Sequence, residues 1–278
     1  MSLRWIRCDR SRAIGFEVAE TISSPLAISL MLWVLAHELI DREGILLAPS
    51  AHGNAHRSLL DDAIPDIERL IDFHAKETGS ARGRRRPDIQ VISRSAVVMI
   101  CASWEAFCED LAAEALIHLA DHAPESSDLP KEIQKTVKKV LLDEKNELAI
   151  WKIAGDGWRT VLRNRAALLS SDADRSLNTP KPGQVKEYFL KNVGMNDLTA
   201  SWKWTRTSQA TATKRLETFV TLRGSIAHRG SPTGGVLKKH ATDGLNLVTR
   251  LAEASASAVS KHLEDHTGQG LPTLEESS

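Results

Sequence analysis

The sequence predicts an all-α protein, a helical bundle with a short helical insertion and an N-terminal extension. Three observations predict it. Apolar residues recur at helical spacing along most of the chain. Alternating β-branched runs bounded by turn residues are almost absent. Glycine- and proline-rich stretches fall between the periodic segments and punctuate them. The 278 residues are 42% hydrophobic, enough for one large core, or for a core with a small appendage.

Residues 1–55 form the N-terminal extension. Its apolar stretch Pro25–Ala36 follows Arg4, Arg7, Arg10 and Arg12, but is shorter than the roughly 20 residues a membrane span needs. Glu17 and Glu20 interrupt what would be the basic region of a signal peptide. A cytoplasmic protein with no membrane partner is therefore expected. Residues 56–265 form the helical domain. Its first helix spans about Arg57 to Lys76, with Leu60, Ile64, Ile67, Leu70 and Ile71 in register, and Gly79–Pro87 breaks the chain. The second runs from about Asp88 to His122. Ile100, Cys101, Trp104, Phe107, Cys108, Leu111, Ala115 and His118 form one stripe on it, while Ala106, Ala113, Leu116 and Ile117 populate its other faces. A helix apolar on most sides is central in a bundle.

After the Pro124–Pro130 linker, helices are expected over Lys131–Leu148 and Asp156–Ser170, then a polar loop to Gly183. A short helix over Gln184–Asn192 should stop at Gly194. Thr211 to about Ala227 presents Leu216, Phe219, Val220 and Ile226 as a core face, and Arg229–Gly235 ends it. The last long helix, Val236–Leu263, carries Leu245, Val248, Leu251, Ala252, Ala258, Val259 and His262. Residues 266–278 are a polar tail expected to fray.

Charge and cysteine usage narrow the function. Lys+Arg and Asp+Glu are both 36. A protein that grips nucleic acid by bulk charge has a basic excess, so any RNA contact here must be local. Cys8, Cys101 and Cys108 are odd in number and irregularly spaced, which fits a reducing compartment and no disulfide framework. No Cys/His cluster has zinc spacing, and no metal or other cofactor is expected. Gly234-Gly235 lacks the wider pattern of a phosphate loop.

The segment with the most chemistry is Thr221-Leu-Arg-Gly-Ser-Ile-Ala-His-Arg-Gly230. An imidazole titrating near neutrality can move a proton to or from a ribose hydroxyl. A permanently charged guanidinium can hold a phosphate and the charge that builds on it. Arg223 and His228 are thus candidate catalytic residues. Their spacing alone says little. With 21 Arg and 10 His, chance gives about one such match, and Arg69–His74 is a second. Context separates them: His74 lies inside an amphipathic helix, His228 at a helix end beside a glycine-rich turn.

Leu222-Arg-Gly-Ser-Ile-Ala-His-Arg-Gly230 resembles the Arg-Asn-x-Ile-Ala-His-Gly signature of HEPN domains. Ser93-Arg-Ser-Ala-Val-Val-Met99, Ser103-Trp-Glu-Ala-Phe-Cys-Glu-Asp-Leu111, and Val185–Met195 before Trp202 are similar to the RiboL-PSP-HEPN branch. The resemblance extends from about Leu59 to Leu263. It implies a HEPN-like helical bundle, commonly a homodimer, and for many members a metal-independent endoribonuclease in toxin–antitoxin or other defence systems. It implies that Arg223 and His228 sit in a cleft shared by two protomers, with RNA as substrate and an antitoxin protein as partner. The chain departs from the signature at Gly224, where the family usually has a polar residue, often Asn; Ser225 is the nearby hydroxyl. Some members are non-catalytic, so a helical module binding a partner protein or nucleotide is the alternative.

Five residues on a straight helix turn the chain by about 140°. Either the helix ends near Ser225, or Arg223 and His228 each meet the other's mate from a second subunit. Supporting roles fall to Glu105 and Glu109, one turn apart on the central helix and placed to orient Arg223 or to pair with other basic residues. The basic run Arg82-Gly-Arg-Arg-Arg86, with Arg84, Arg85 and Arg86, and Arg229 beside the motif, are candidates to touch RNA phosphates. Lys181, Lys186, Lys191, Lys203 and Arg206 cluster along the insertion near Trp202 and Trp204. That pattern suits either single-strand stacking or core packing of the tryptophans.

Overall fold

A computed structural model describes residues 52–78, 87–143, 151, 153–171, 177–229 and 235–273. Contacts divide the chain into Met1–Ala48 and Pro49–Ser278, and all described residues belong to the second unit. The basic run Arg84–Arg86 lies outside the described residues, as does the side chain of Arg229. In chain order the helices are α1 (Gly53–Ser58), α2 (Ile64–Thr78), α3 (Pro87–His122), α4 (Lys131–Asp143), α5 (Gly157–Leu169), α6 (Pro182–Val193), α7 (Gln209–Arg229) and α8 (Lys238–Thr267). The described residues hold no strand, only two isolated bridges. The all-α expectation holds.

α3 is the axis. It is 36 residues long, about 54 Å at 1.5 Å per residue. Every residue of the expected stripe from Ile100 to His118 is buried. Part of it, Gln90–His122, is long and apolar enough to cross a membrane, its most apolar 18-residue window having mean hydropathy 1.4. Here it is instead the core helix, wrapped by α1, α2, α5, α6, α7 and α8. Trp104 knots the centre. It stacks on Phe107 (5.6 Å between centroids), meets Trp202 edge-on at 6.0 Å and donates from Nε1 to the Pro180 carbonyl at 3.2 Å. Trp202 donates in turn to Ser255 Oγ of α8 at 2.9 Å. The polar handle of each indole is satisfied, which lets both bury fully.

α3 and α8 run parallel. Gly235, before α8, lies against Gln90 near the start of α3. At the other end His118 donates from Nε2 to the Gln269 carbonyl (2.9 Å) beyond α8. α7 returns antiparallel and crosses α8 closely at Gly244, where a Cβ would sit 2.2 Å from the Phe219 ring.

The helices differ from the sequence expectation at their ends. α1 starts at Gly53, earlier than the boundary at 55, because its exposed N–H groups find a distant acceptor. Asn54 and Ala55 donate to the Glu114 carboxylate at 2.7 and 3.0 Å. Between α1 and α2 the turn widens into a π turn, Leu59–Ala63. This accommodates Pro65, which cannot donate a helical hydrogen bond. α6 stops at Gly194, as expected, with that glycine left-handed at φ 77°. α8 continues to Thr267, past the expected end at Leu263, and the described residues after it, up to Thr273, are docked. Leu271 is buried and donates to Ser260 Oγ at 2.9 Å, and the Pro272 carbonyl accepts from Gly53 at 2.9 Å. Polar composition hid a docked segment held by backbone hydrogen bonds.

Candidate functional site

α7 carries the Arg–His segment. It stays helical through Arg229, so the option of a helix ending near Ser225 is excluded, and the two side chains leave the helix in different directions. Arg223 is half-buried, and its Nε is shielded from water with no hydrogen-bond partner among the described residues. His228 is exposed in the last turn. Ile226, between them, is buried against α3.

Arg223 faces the part of α3 that carries Cys101 and Glu105. Burial pushes the Cys101 thiol up to about 11; the Arg223 charge pulls it down and the Glu105 charge pushes it up. One buried thiol thus feels both residues, and Arg223, Cys101 and Glu105 form one neighbourhood. Glu109 is buried one turn further on, where it accepts a hydrogen bond from the Leu177 amide at 3.4 Å and anchors the segment before α6. Cys101 and Cys108 are free and buried, as their apolar register implied.

The third supporting residue, Ser225, is engaged on its own helix. Its hydroxyl donates to the Thr221 carbonyl at 3.1 Å and does not replace the polar side chain missing at 224. Around Gly224 nothing lies within 4 Å of where a Cβ would be; packing leaves that position open. Of the tryptophans, Trp202 is fully buried and offers no face to a base. Lys186 is paired with Asp197 at 2.8 Å, so the basic cluster around them is partly neutralised. The rival Arg–His spacing separates as context suggested: Arg69 pairs with Asp66 at 2.7 Å, while His74 is half-buried, with burial lowering its pKa.

Sequence reasoning missed what lies beside the motif. Val91, Arg94, Ser95, Val98 and Met99 of α3, with Ile226 of α7, line an open depression of about 310 Å³. Val91 and Met99 are exposed. The apolar composition of α3 is nearly uniform, so the exposed stripe could not be told from the buried ones. One signal was present: Arg94 is the only charged residue between Asp88 and Glu105.

The RiboL-PSP-HEPN family matches residues 60–261. The chain belongs to that family. The match runs from the π turn to the last turns of α8, so the whole α3–α7–α8 frame is the HEPN domain, and it includes Arg223 and His228. Membership supports a nuclease-like or RNA-related module. No curated protein and no solved structure matches significantly. Among the described residues, no group of three or more His, Cys, Asp or Glu side chains is arranged to hold a metal ion.

Proposed function

We propose that this HEPN protein is a metal-independent endoribonuclease, acting in the cytoplasm as a toxin or defence effector and held in check by an antitoxin protein. The observation that carries the reading is the state of Arg223. Its Nε is withdrawn from water and has no hydrogen-bond partner among the described residues. Leaving a guanidinium nitrogen so exposed to desolvation costs free energy, and a phosphate would remove that cost. The exposed imidazole of His228 lies five residues along the same helix.

In the reaction the ribose 2′-oxygen attacks phosphorus, and its proton passes to a neutral His228. Arg223 stabilises the charge of the pentavalent phosphorane. The bond from phosphorus to the 5′-oxygen breaks, and a protonated imidazole returns a proton to that oxygen. The products are a 2′,3′-cyclic phosphate and a 5′-hydroxyl. The reaction needs one imidazole as base and one as acid at the same time, and α7 turns Arg223 and His228 apart by about 140°. A homodimer answers both needs, with each protomer supplying an Arg223 and a His228 to a shared cleft.

The test is RNA cleavage with chelator present. Wild-type protein is expected to leave cyclic phosphate ends, and His228→Ala to cleave about 10²–10⁴-fold more slowly. Equal, low rates from both proteins would defeat the reading. The rival is a non-catalytic module, favoured by Gly224 and by the balanced charge. It predicts a folded protein without cleavage, whose partner binding is indifferent to Arg223→Ala.

A further inference from the structure

The two ends of the described chain meet on α3. The Gly53 amide, at the start of α1, donates to the Pro272 carbonyl at 2.9 Å, and His52 forms a bridge with Thr273. Glu114 of α3 accepts from the Asn54 and Ala55 amides at 2.7 and 3.0 Å. Gly53 is left-handed, and a Cβ there would sit 2.7 Å from that carboxylate, so glycine lets the charge come this close. Beyond α8, the Leu271 amide is held by Ser260 Oγ and the Gln269 carbonyl by His118. A helix of six residues is unstable alone. α1 therefore lasts only while these contacts do.

In the middle of α1 stands a residue that works against them. His56 is buried, edge-on to Phe107 at 6.1 Å, and neither ring nitrogen has a partner among the described residues. A neutral imidazole so placed leaves a donor and an acceptor unmet, a cost that a phenyl ring of similar size would avoid. An imidazolium there would be far worse.

The ionisable groups around α1 do not compensate it. On α1 itself, Arg57 follows His56, and the charge that bears on His56 is that of His52, which is of like sign. On α3, Glu114 is engaged by the α1 amides, and burial and Glu114 push the Asp110 carboxyl up. On α8, Glu253 acts on His52 and pairs with Arg250 at 3.1 Å. In the π turn, Asp61 is exposed and Asp62 accepts from Ser58 at 3.0 Å. Acid then has opposed effects. Asp110 takes up a proton in place and eases the repulsion on Glu114, whereas His56 accepts one only by leaving the core.

We propose that α1, with the C-terminal segment zipped to it, is an acid-released clasp: His56 takes a proton from solvent by swinging out of the core, and the two ends part while α3, α7 and α8 stay assembled. Such local opening below the global transition is a common property of elements with few contacts, and a histidine gives it a pH threshold.

The experiment is hydrogen exchange on the full chain at pH 7 and pH 5, read by mass spectrometry and corrected for the intrinsic pH dependence of exchange. The imidazole titrates near 6.5 when released and near 4 when docked, so the opening constant of α1 should rise on the order of tenfold at pH 5. Peptides from the centres of α3 and α8 should keep their protection. His56→Phe should hold α1 closed equally at both pH values. His56→Gln, which keeps a buried polar group but cannot ionise, should open more readily than wild type at both, with no step between them. Unchanged α1 protection in wild type would overturn the proposal. So would loss of protection in α3 and α8 in step with α1, which would make the event global unfolding, or a pH step that survives in His56→Phe, which would place the trigger elsewhere.

Discussion

The two ends of α3 are built on opposite terms. At its C-terminal end several carbonyls find side-chain donors. Arg159 of α5 reaches over the last turn and donates to the carbonyls of Ala120 (2.6 Å) and Ala123 (2.9 Å), while its guanidinium lies 4.3 Å from the centre of the Trp158 ring. His118 and His122 stack at 4.2 Å. His262 donates to the Val193 carbonyl at 3.2 Å, and His266 to the Asp128 carbonyl at 2.8 Å. At the N-terminal half, Val91 and Met99 face water and Arg223 keeps an unmet donor. Buried polar groups are normally satisfied; the C-terminal end is stitched by side-chain donors, whereas the N-terminal half leaves apolar side chains in water.

Changes at the two ends should therefore fall on different measurements. The largest effect on stability is expected at the knot between them. Trp104→Ala should cost about 3–5 kcal/mol in chemical denaturation, and a loss below 1 kcal/mol would mean the bundle does not hinge on that indole. At the closed end, Arg159→Ala strips charged hydrogen bonds from a helix terminus and should cost about 2 kcal/mol. Arg159→Lys should recover little, because an ammonium cannot bridge two carbonyls in a fixed fork. Neither Arg159 variant should alter cleavage by folded protein. Arg223→Ala should do the reverse, slowing cleavage about 10²–10³-fold with the melting temperature held or raised.

Acid offers a gentler probe of the same contrast. Burial lowers the pKa values of His118 and His262, and that of His56 falls to about 4. His56 is buried, edge-on to Phe107, and neither ring nitrogen has a partner among the described residues. The folded protein thus binds fewer protons than the unfolded chain below the ordinary value of 6.5. The stability these imidazoles support is complete above pH 6.5 and is lost as pH falls towards 4. Melting temperatures across that range should fall with acid, and His56→Phe should flatten the decline. The smallest effect is expected at Gly224, a helical position with open space around it. Gly224→Ala should add about 0.5–1 kcal/mol of stability. Gly224→Asn, which restores the family's usual side chain, should raise cleavage.

Much of this was legible in the sequence, and the parts that were not share a cause. The helices around Ile100, Trp104, Phe219 and Val248 follow from apolar periodicity, and the Gly194 stop from the need for a left-handed residue. The start of α1 did not, because it is set by a distant group, Glu114 beneath Asn54 and Ala55. Local propensity carries no information about partners tens of residues away. At the candidate site, motif and context single out Arg223 and His228, which the structure places on one helix. The bond of the Ser225 hydroxyl to Thr221 was not legible, although a serine inside a helix can bond back to the carbonyl four residues earlier. The depression at Arg94 was hidden by a helix apolar on nearly every side.

The parallel pairing of α3 with α8 also sets a timetable for the growing chain. Lys238 is 116 positions after His122. At ribosomal rates, an apolar segment long enough to enter a bilayer waits on the order of ten seconds for the helix that covers it. During that interval the nascent chain is a client for chaperones. A product truncated before Lys238 would leave the α8-facing side of its most apolar helix uncovered and should appear in the insoluble or membrane fraction.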